Sequence, residues 1–203
     1  MGTAAHMENA AINVRSYREL TVTAIVTGGV ETNGGRVGDP ASYYKTVEKK
    51  CGTINIMLVI DADLSPGILA RALVTCTEAK TAALQELMAD SRYSCGLATG
   101  SGTDQTIVVA NSESPLYFEG AGKHSKLGEL IGQTVMTAVK EALARQSGLT
   151  PARQHDLLRR LRRIGVTADE LWESYRRDEE MSTLHKAQFV TALGEIVQRP
   201  GVF

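Results

Sequence analysis

Alternation of apolar and polar residues predicts a β-sheet in the first half of the chain. Residues 21–27 (TVTAIVT) are rich in β-branched side chains and end at a Gly-Gly pair. Residues 53–61 (TINIMLVID) are apolar on both faces, as expected of a central strand. Two shorter strands are predicted at 94–98 and 106–110, on either side of a polar, glycine-rich turn. These four segments supply the predicted sheet.

Helical spacing of apolar residues predicts two long helices in the same part of the chain. The first begins at Ser65 and Pro66, a serine N-cap followed by proline in the first turn, and extends to about Met88. The second begins near His124 and reaches Arg145. The order of elements predicts an α+β fold, with a mixed or antiparallel β-sheet packed against the two long helices.

The chain changes character after Gly148, where a Thr-Pro pair opens a run of helical segments. We therefore predict a main domain at 1–146 and a C-terminal all-helical appendage at 147–203. Clustered arginines in this appendage favour a solvated helix face over a nucleic-acid site. They are Arg159, Arg160, Arg162 and Arg163.

Composition narrows the classes of function. The formal net charge of −1 gives no electrostatic reason to expect nucleic acid or an anionic membrane as a partner. No apolar run approaches the length of a membrane span and the first residues lack the apolar region of a signal peptide, so a cytoplasmic protein is predicted. The three cysteines show no CxxC spacing and the four histidines are scattered, so neither a metal nor another cofactor is predicted.

Lys80 is the most unusual residue of the first predicted helix. It falls on the apolar stripe, where an unpaired ammonium is costly. Its side chain is expected either to extend to the surface, or instead to point into a site or pair with a carboxylate such as Asp39, Asp61 or Asp104.

Two loops carry more polar groups than their turns require. Residues 34–40 (GGRVGDP) place Arg36 and Asp39 just beyond a strand; an aspartate-stabilised turn explains Asp39 but not Arg36. Residues 98–105 (ATGSGTDQ) combine glycine N–H groups with three hydroxyls and a carboxylate. That combination can form an oxyanion site with a nucleophile or a water-positioning group.

Residues 120–130 (GAGKHSKLGEL) lie at a predicted helix start but do not form a phosphate loop. Walker A would need glycine where Tyr117 stands and serine or threonine where His124 stands. The positive end of the helix dipole disfavours the cations Lys123 and Lys126 and favours a neutral His124 imidazole that can act as a base.

Five segments along the chain together resemble the adenosylcobinamide amidohydrolase family over roughly residues 2–146. They are TAAHMEN (3–9), TVTAIVTGGVETNGGRVGDPASYY (21–44), GTINIMLVIDADLSPGILARALVTCTEAKTAALQEL (52–87), SRYSCGLATGSGTDQTIVV (91–109) and AGKHSKLGELIG (121–132). The resemblance implies hydrolysis of adenosylcobinamide to adenosylcobyric acid and aminopropanol, in corrinoid salvage in a prokaryote. The family is expected to carry a further segment upstream of the TAA motif, so a truncated or processed form, or a start placed late, is expected here.

Amide hydrolysis needs a base, an oxyanion site, and a nucleophile or activated water. We expect His124 to act as base and later as acid, oriented by Asp104 or Asp39, with Lys123 and the N–H groups of 100–103 at the oxyanion. Either Ser101 or Thr103 is a candidate nucleophile, and direct attack by water is equally open. If an upstream segment is released, Thr3 becomes an N-terminal nucleophile with its own amine as base.

The corrinoid substrate itself is expected to contact a wider set of polar residues. The expected substrate-binding residues are Arg36, Asp39, Asn55, Lys80, Thr99, Lys123 and Ser125. The competing interpretations are a corrinoid or nucleotide binding protein without turnover, and a regulatory fusion in which the C-terminal helices bind a partner. A homo-oligomer is left open by the sequence.

Overall fold

The computed structural model of the chain describes residues 1–41, 44, 54–154, 156–178 and 182–199. It divides into two compact units, Met1–Thr150 and Pro151–Phe203. Among the described residues, no helix combines the length and the apolar character needed to cross a bilayer.

The first unit is built on a mixed four-stranded sheet of order β1-β2-β4-β6. β1 pairs antiparallel with β2, β2 pairs antiparallel with β4, and β4 pairs parallel with β6. Two further strands, β3 and β5, form a separate two-residue ribbon. The strands are β1 (Ala11–Tyr17), β2 (Leu20–Thr27), β3 (Gly34–Gly35), β4 (Asn55–Ile60), β5 (Gly100–Ser101) and β6 (Gln105–Ala110).

Two long helices, α1 (Pro66–Glu86) and α2 (Lys126–Ser147), supply the rest of the core. Their buried residues include Ala72, Ala79 and Ala83 on α1, and such small side chains permit close packing of a helix. On β2 and β4 every second residue is buried, because side chains alternate between the two faces of a strand. The predicted α+β class, with a mixed sheet and two long helices, is confirmed.

The opposite face of the sheet, here called the outer face, carries exposed apolar side chains. Six of them are between 36% and 62% exposed: Ile12, Val14, Met57, Val59, Ile107 and Val109. The strand registers place them in rows across the sheet, with Met57 beside Ile107 and Val59 beside Val109. At one end of this face, Gly2 and Thr3 contact β4 and β2 through hydrogen bonds.

Two sequence predictions for the sheet differ from the structure. Residues 94–96 form bends, and Leu97 forms an isolated bridge with Asp90, in place of the predicted strand. The Ser91 and Ser94 hydroxyls accept hydrogen bonds from the N–H groups of Tyr93 and Gly96. Such local bonds compete with strand pairing. Conversely, β1 was not predicted. It forms a hairpin with β2 through a two-residue loop that contains Arg18, whose φ is 52°.

The second unit contains three α-helices within its described residues, α3 (Leu157–Leu161), α4 (Ala168–Arg177) and α5 (Lys186–Val197). α4 begins with a capping box between Thr167 and Glu170. An aromatic cluster joins α4 to α5: the ring centroids of Trp172 and Tyr175 lie 5.5 Å and 4.9 Å from that of Phe189. The C-terminal region is therefore helical, as predicted.

Candidate active site

A polar cleft of about 310 Å³ lies where the β3–β5 ribbon meets α1. One wall comes from the chain that follows β3, a second from the loop that carries β5, and a third from Lys80 of α1. The lining residues are Gly35, Arg36, Val37, Asp39, Lys80, Tyr93, Thr99, Gly100, Ser101, Gly102 and Asp104. Six of the substrate-binding or catalytic residues expected from the sequence are in this set.

An ion pair between Lys80 and Asp104 forms the centre of the cleft. The Lys80 ammonium contacts Asp104 Oδ2, and the lysine is 9% exposed. Asp104 Oδ1 accepts hydrogen bonds from the Ser101 N–H at 2.9 Å and from the Ser101 hydroxyl at 2.6 Å. The expectation that Lys80 pairs with a carboxylate is confirmed, and Asp104 is the partner.

Gly100 leaves the space that this ion pair occupies. A Cβ at position 100 would lie 2.1 Å from Asp104 Oδ2 and 2.9 Å from Lys80 Nζ. Both distances are too short for a real contact, so a side chain at position 100 would displace the Asp104 carboxylate and the Lys80 ammonium.

Asp39 closes the turn on the opposite side of the cleft. Its Oδ2 accepts hydrogen bonds from the Arg36 N–H at 2.7 Å and from the Ser91 hydroxyl at 2.6 Å. The Ser91 hydroxyl is the largest cause that holds the pKa of Asp39 below its ordinary value. The Val37 N–H donates to the Thr99 hydroxyl at 2.9 Å and so ties this turn to the β5 loop.

Three of the four backbone N–H groups expected at an oxyanion, those of residues 101–103, already have acceptors in this structure. The Ser101 N–H donates to Asp104 Oδ1, and the Gly102 N–H donates to the Asn33 carbonyl at 3.2 Å. The Thr103 N–H donates to Ser101 Oγ at 3.4 Å. The Lys80 ammonium is a cationic group that lines the same cleft.

The loop before α2 contacts a different part of α1 from the part that lines the cleft. Lys123 Nζ lies 3.3 Å from Glu78 Oε1, and the Thr75 hydroxyl donates to the Ala121 carbonyl at 2.7 Å. Within the described part of the chain, the residues that line the cleft do not include Lys123, His124 or Ser125. His124 is exposed, and the hydrogen bonds that fix Asp104 come from Ser101 and Lys80. The catalytic role of His124 stays a prediction.

Packing explains much of the polar and glycine-rich sequence in this second loop. Ser125 is the N-cap of α2: its hydroxyl accepts from the Gly128 N–H at 3.0 Å and donates to the Gly122 carbonyl at 2.7 Å. A Cβ on Gly128 would lie 2.0 Å from the Gly122 carbonyl oxygen. The loop therefore folds closely onto the first turn of α2.

A third group of predicted residues lies at the end of the outer face. Asn55 Nδ2 donates to the Gly2 carbonyl at 2.9 Å, and Thr3 Oγ1 accepts from the Ala5 N–H at 3.1 Å. The Thr27 hydroxyl donates to Thr3 Oγ1 at 3.4 Å. The structure thus divides the predicted site residues between the cleft, the loop before α2 and this group at the N-terminal segment.

Two residues that contribute to the cleft were not predicted. Tyr93 lines it, and Ser91 holds Asp39. Both lie just before the strand predicted at 94–98, and no apolar periodicity marks them as site residues. Residues 92–96 form bends in the structure.

The fold and the cleft together define an α+β domain with a charged cleft beside one of its long helices. The family model described as adenosylcobinamide amidohydrolase matches residues 1–151. The chain belongs to the adenosylcobinamide amidohydrolase family. Both the cleft and the group around Thr3 lie inside the matched region, and the family name denotes a hydrolase that acts on an amide.

Two curated relatives are similar to this chain. An uncharacterized protein of Methanocaldococcus jannaschii is 40% identical over 161 residues, which cover 72% of this chain and 62% of the relative. An adenosylcobinamide amidohydrolase of Methanosarcina mazei is 31% identical over 153 residues, which cover 70% of this chain and 64% of the relative. The chain therefore spans less than two thirds of the length of these relatives. No solved structure matches.

Proposed function

We propose that this protein hydrolyses the amide that joins the aminopropanol arm to the corrin ring of adenosylcobinamide. The products are adenosylcobyric acid and 1-aminopropan-2-ol, and the role is corrinoid salvage for cobalamin synthesis in a prokaryotic cytoplasm. The observation that carries the proposal is the family match over residues 1–151. The polar cleft supplies a place where an amide can be held and attacked.

In this proposal the cleft performs the reaction through Ser101, Asp104 and Lys80. Ser101 Oγ attacks the amide carbon while Asp104, which already accepts the hydroxyl hydrogen bond, receives the proton. The proton then passes to the amide nitrogen, the C–N bond breaks and aminopropanol leaves. Water hydrolyses the resulting ester and restores the serine hydroxyl.

The Lys80 ammonium has the charge that the tetrahedral intermediate requires. It is buried in the wall of the cleft and contacts Asp104 Oδ2. A fixed cation in a partly desolvated site stabilises the negative charge that develops on the carbonyl oxygen more strongly than one in water. Thr99 and Arg36 line the same cleft and are the proposed contacts for polar substituents of the substrate.

A direct assay of turnover tests the proposed reaction. The purified protein is incubated with adenosylcobinamide in the absence of ATP and NAD, and the corrinoid is identified by mass spectrometry. Formation of adenosylcobyric acid with release of aminopropanol is expected. Recovery of bound but intact adenosylcobinamide would instead identify a corrinoid-binding protein without turnover and refute the proposal.

Four single variants test where the chemistry occurs. Ser101→Ala and Asp104→Asn should each lower kcat by about 10²–10⁴, as expected for loss of a nucleophile or proton acceptor. The double variant should be little worse than either alone, because both residues act as one unit. Ser112→Ala, at an exposed serine beyond β6, is the matched control. If His124→Asn abolishes turnover while Ser101→Ala retains it, the chemistry lies outside the cleft.

A further inference from the structure

Two polar residues are buried at the end of the outer face without an obvious structural need. Thr27 is 6% exposed and Asn55 is 8% exposed, and the two are paired in the β2–β4 register. Their neighbours on the same face, two residues along each strand, are Ile25 and Met57. Burying a hydroxyl and an amide at such positions is costly unless their hydrogen bonds are satisfied.

The side chains of Thr27 and Asn55 form hydrogen bonds to two groups beside the Gly2–Thr3 peptide bond, the Thr3 hydroxyl and the Gly2 carbonyl. Asn55 Nδ2 donates to the Gly2 carbonyl oxygen at 2.9 Å. Thr3 Oγ1, on the residue that follows, accepts from the Thr27 hydroxyl at 3.4 Å and from the Ala5 N–H at 3.1 Å. A donor at the carbonyl stabilises the oxyanion of a tetrahedral intermediate. Two donors at the hydroxyl oxygen favour its deprotonated form.

Within the described part of the chain, one atom of this group lacks a partner. Asn55 Oδ1 is buried there and accepts from no donor, although its Nδ2 is engaged. An amide with a purely structural role usually has both ends satisfied, since a buried unpaired acceptor costs free energy. The missing donor would be supplied by a new N–H group formed beside the Gly2 carbonyl.

We propose that the Gly2–Thr3 peptide bond is a self-cleavage site at which the Thr3 hydroxyl is the nucleophile and Asn55 Nδ2 supports the oxyanion. Thr3 Oγ attacks the Gly2 carbonyl carbon, the C–N bond breaks, and the hydroxyl proton is transferred through solvent to the Thr3 nitrogen. Water then hydrolyses the Gly2–Thr3 ester, which leaves a Gly2 carboxylate and restores the Thr3 hydroxyl. No oxidant, reductant or cofactor is required.

The product carries a free α-ammonium on Thr3 next to Asn55. That ammonium is the new donor for the unpaired Asn55 Oδ1, so the processed form satisfies the buried acceptor. It also places an amine beside the hydroxyl of the same residue, the arrangement through which an N-terminal threonine activates itself. This inference goes beyond the proposed amidohydrolase function, because the bond broken belongs to the protein's own chain.

The test follows the N-terminus of the purified full chain over time by intact-mass spectrometry and N-terminal sequencing. A species that begins at Thr3 should accumulate. Thr3→Val, which keeps the shape of the side chain but lacks the hydroxyl, should abolish the product, and Thr3→Ser should retain it. Asn55→Ala should slow cleavage about 10²-fold through loss of the oxyanion donor. Thr21→Ala, at the other end of β2 on the same face, is the matched control.

The outcomes separate self-cleavage from other events. A chain that keeps Gly2 after prolonged incubation overturns the proposal, and so does equal cleavage of wild type, Thr3→Val and Asn55→Ala, which would identify an external peptidase. Circular dichroism of each variant excludes unfolding as the cause of a lost product. Turnover of adenosylcobinamide is measured on the same samples. Cleavage without turnover supports self-processing and refutes the proposed function. Turnover by an uncleaved chain supports the proposed function and refutes self-processing.

Discussion

Neutralising the Asp104 carboxylate should destabilise the first unit because it leaves the Lys80 ammonium without its counter-ion. The two side chains are 11% and 16% exposed, so neither charge is fully hydrated. Asp104→Asn keeps an oxygen that can accept from the Ser101 N–H, and therefore removes mainly the charge. The cost of the substitution is then dominated by the unpaired ammonium.

The magnitude follows from the partial burial of the pair. Removal of one partner from a buried ion pair costs about 3–5 kcal/mol. Because the cleft admits some water to both groups, we expect a cost of about 2–3 kcal/mol for Asp104→Asn, below that range. Lys80→Met preserves most of the apolar stem and leaves a carboxylate that still accepts from Ser101. The variant that carries both substitutions should be no less stable than Asp104→Asn alone. This corresponds to a coupling energy between the Lys80 and Asp104 side chains of about 1–3 kcal/mol.

Urea unfolding followed by far-ultraviolet circular dichroism measures these values. The single tryptophan, Trp172, lies in α4 of the second unit, so its fluorescence reports that unit separately and should be unchanged. The exposed pair Lys140–Glu86 is the matched control, for which a coupling below about 1 kcal/mol is expected. Additive costs for Lys80→Met and Asp104→Asn would show that the two charges are uncoupled and refute the reasoning.

Two further predictions concern the backbone and the Asp39 turn. Met88, just after α1, has a φ of 48°, a conformation that glycine adopts more readily than other residues. Met88→Gly should therefore stabilise the protein by up to about 1 kcal/mol, whereas Met88→Ala should not. Equal changes of the two variants in a thermal melt would contradict this. Ser91→Ala removes the largest cause of the lowered pKa of Asp39, so nuclear magnetic resonance should show that pKa rise toward its ordinary value. Because the pKa of Asp39 is lower in the folded than in the unfolded protein, the ionised carboxylate stabilises the fold above the unfolded-state pKa. This stabilisation is lost as the pH falls through the folded-state pKa, so Ser91→Ala should lose less stability on acidification than the wild type. An unchanged titration of Asp39 would show that Ser91 does not control it.

The elements with strong apolar periodicity could be predicted from the sequence. The sequence predicted the strands β2, β4 and β6 and the helices α1 and α2. Packing against one core makes apolar residues recur every two residues in a strand and every 3.6 residues in a helix. β1 was missed because it lies at the edge of the sheet, where Arg15 and Ser16 are exposed and the alternation is weak.

The contacts of the cleft were only partly predictable for a different reason. The position of Lys80 on the apolar stripe of α1 required a partner, but three carboxylates were equally suitable in sequence. Asp104 is the partner because β6 docks beside β4 and brings the preceding loop onto α1, a tertiary arrangement that no local pattern encodes. Likewise, the sequence does not show why a glycine stands at position 128, and the structure shows that the Gly122 carbonyl approaches it closely.

The parallel pairing of β4 with β6 has a consequence for the order in which the protein folds. The β1–β2 hairpin closes through two residues, whereas β6 can join the sheet only after the chain has crossed from β4 through α1. Contacts that close long loops form later than local ones, because the entropy of closure is lost before the contact is gained. The loop that carries Ser101 and Asp104 directly precedes β6. We therefore expect φ-values near zero for the cleft and higher values for the hairpin, so that the site is assembled after the main folding barrier.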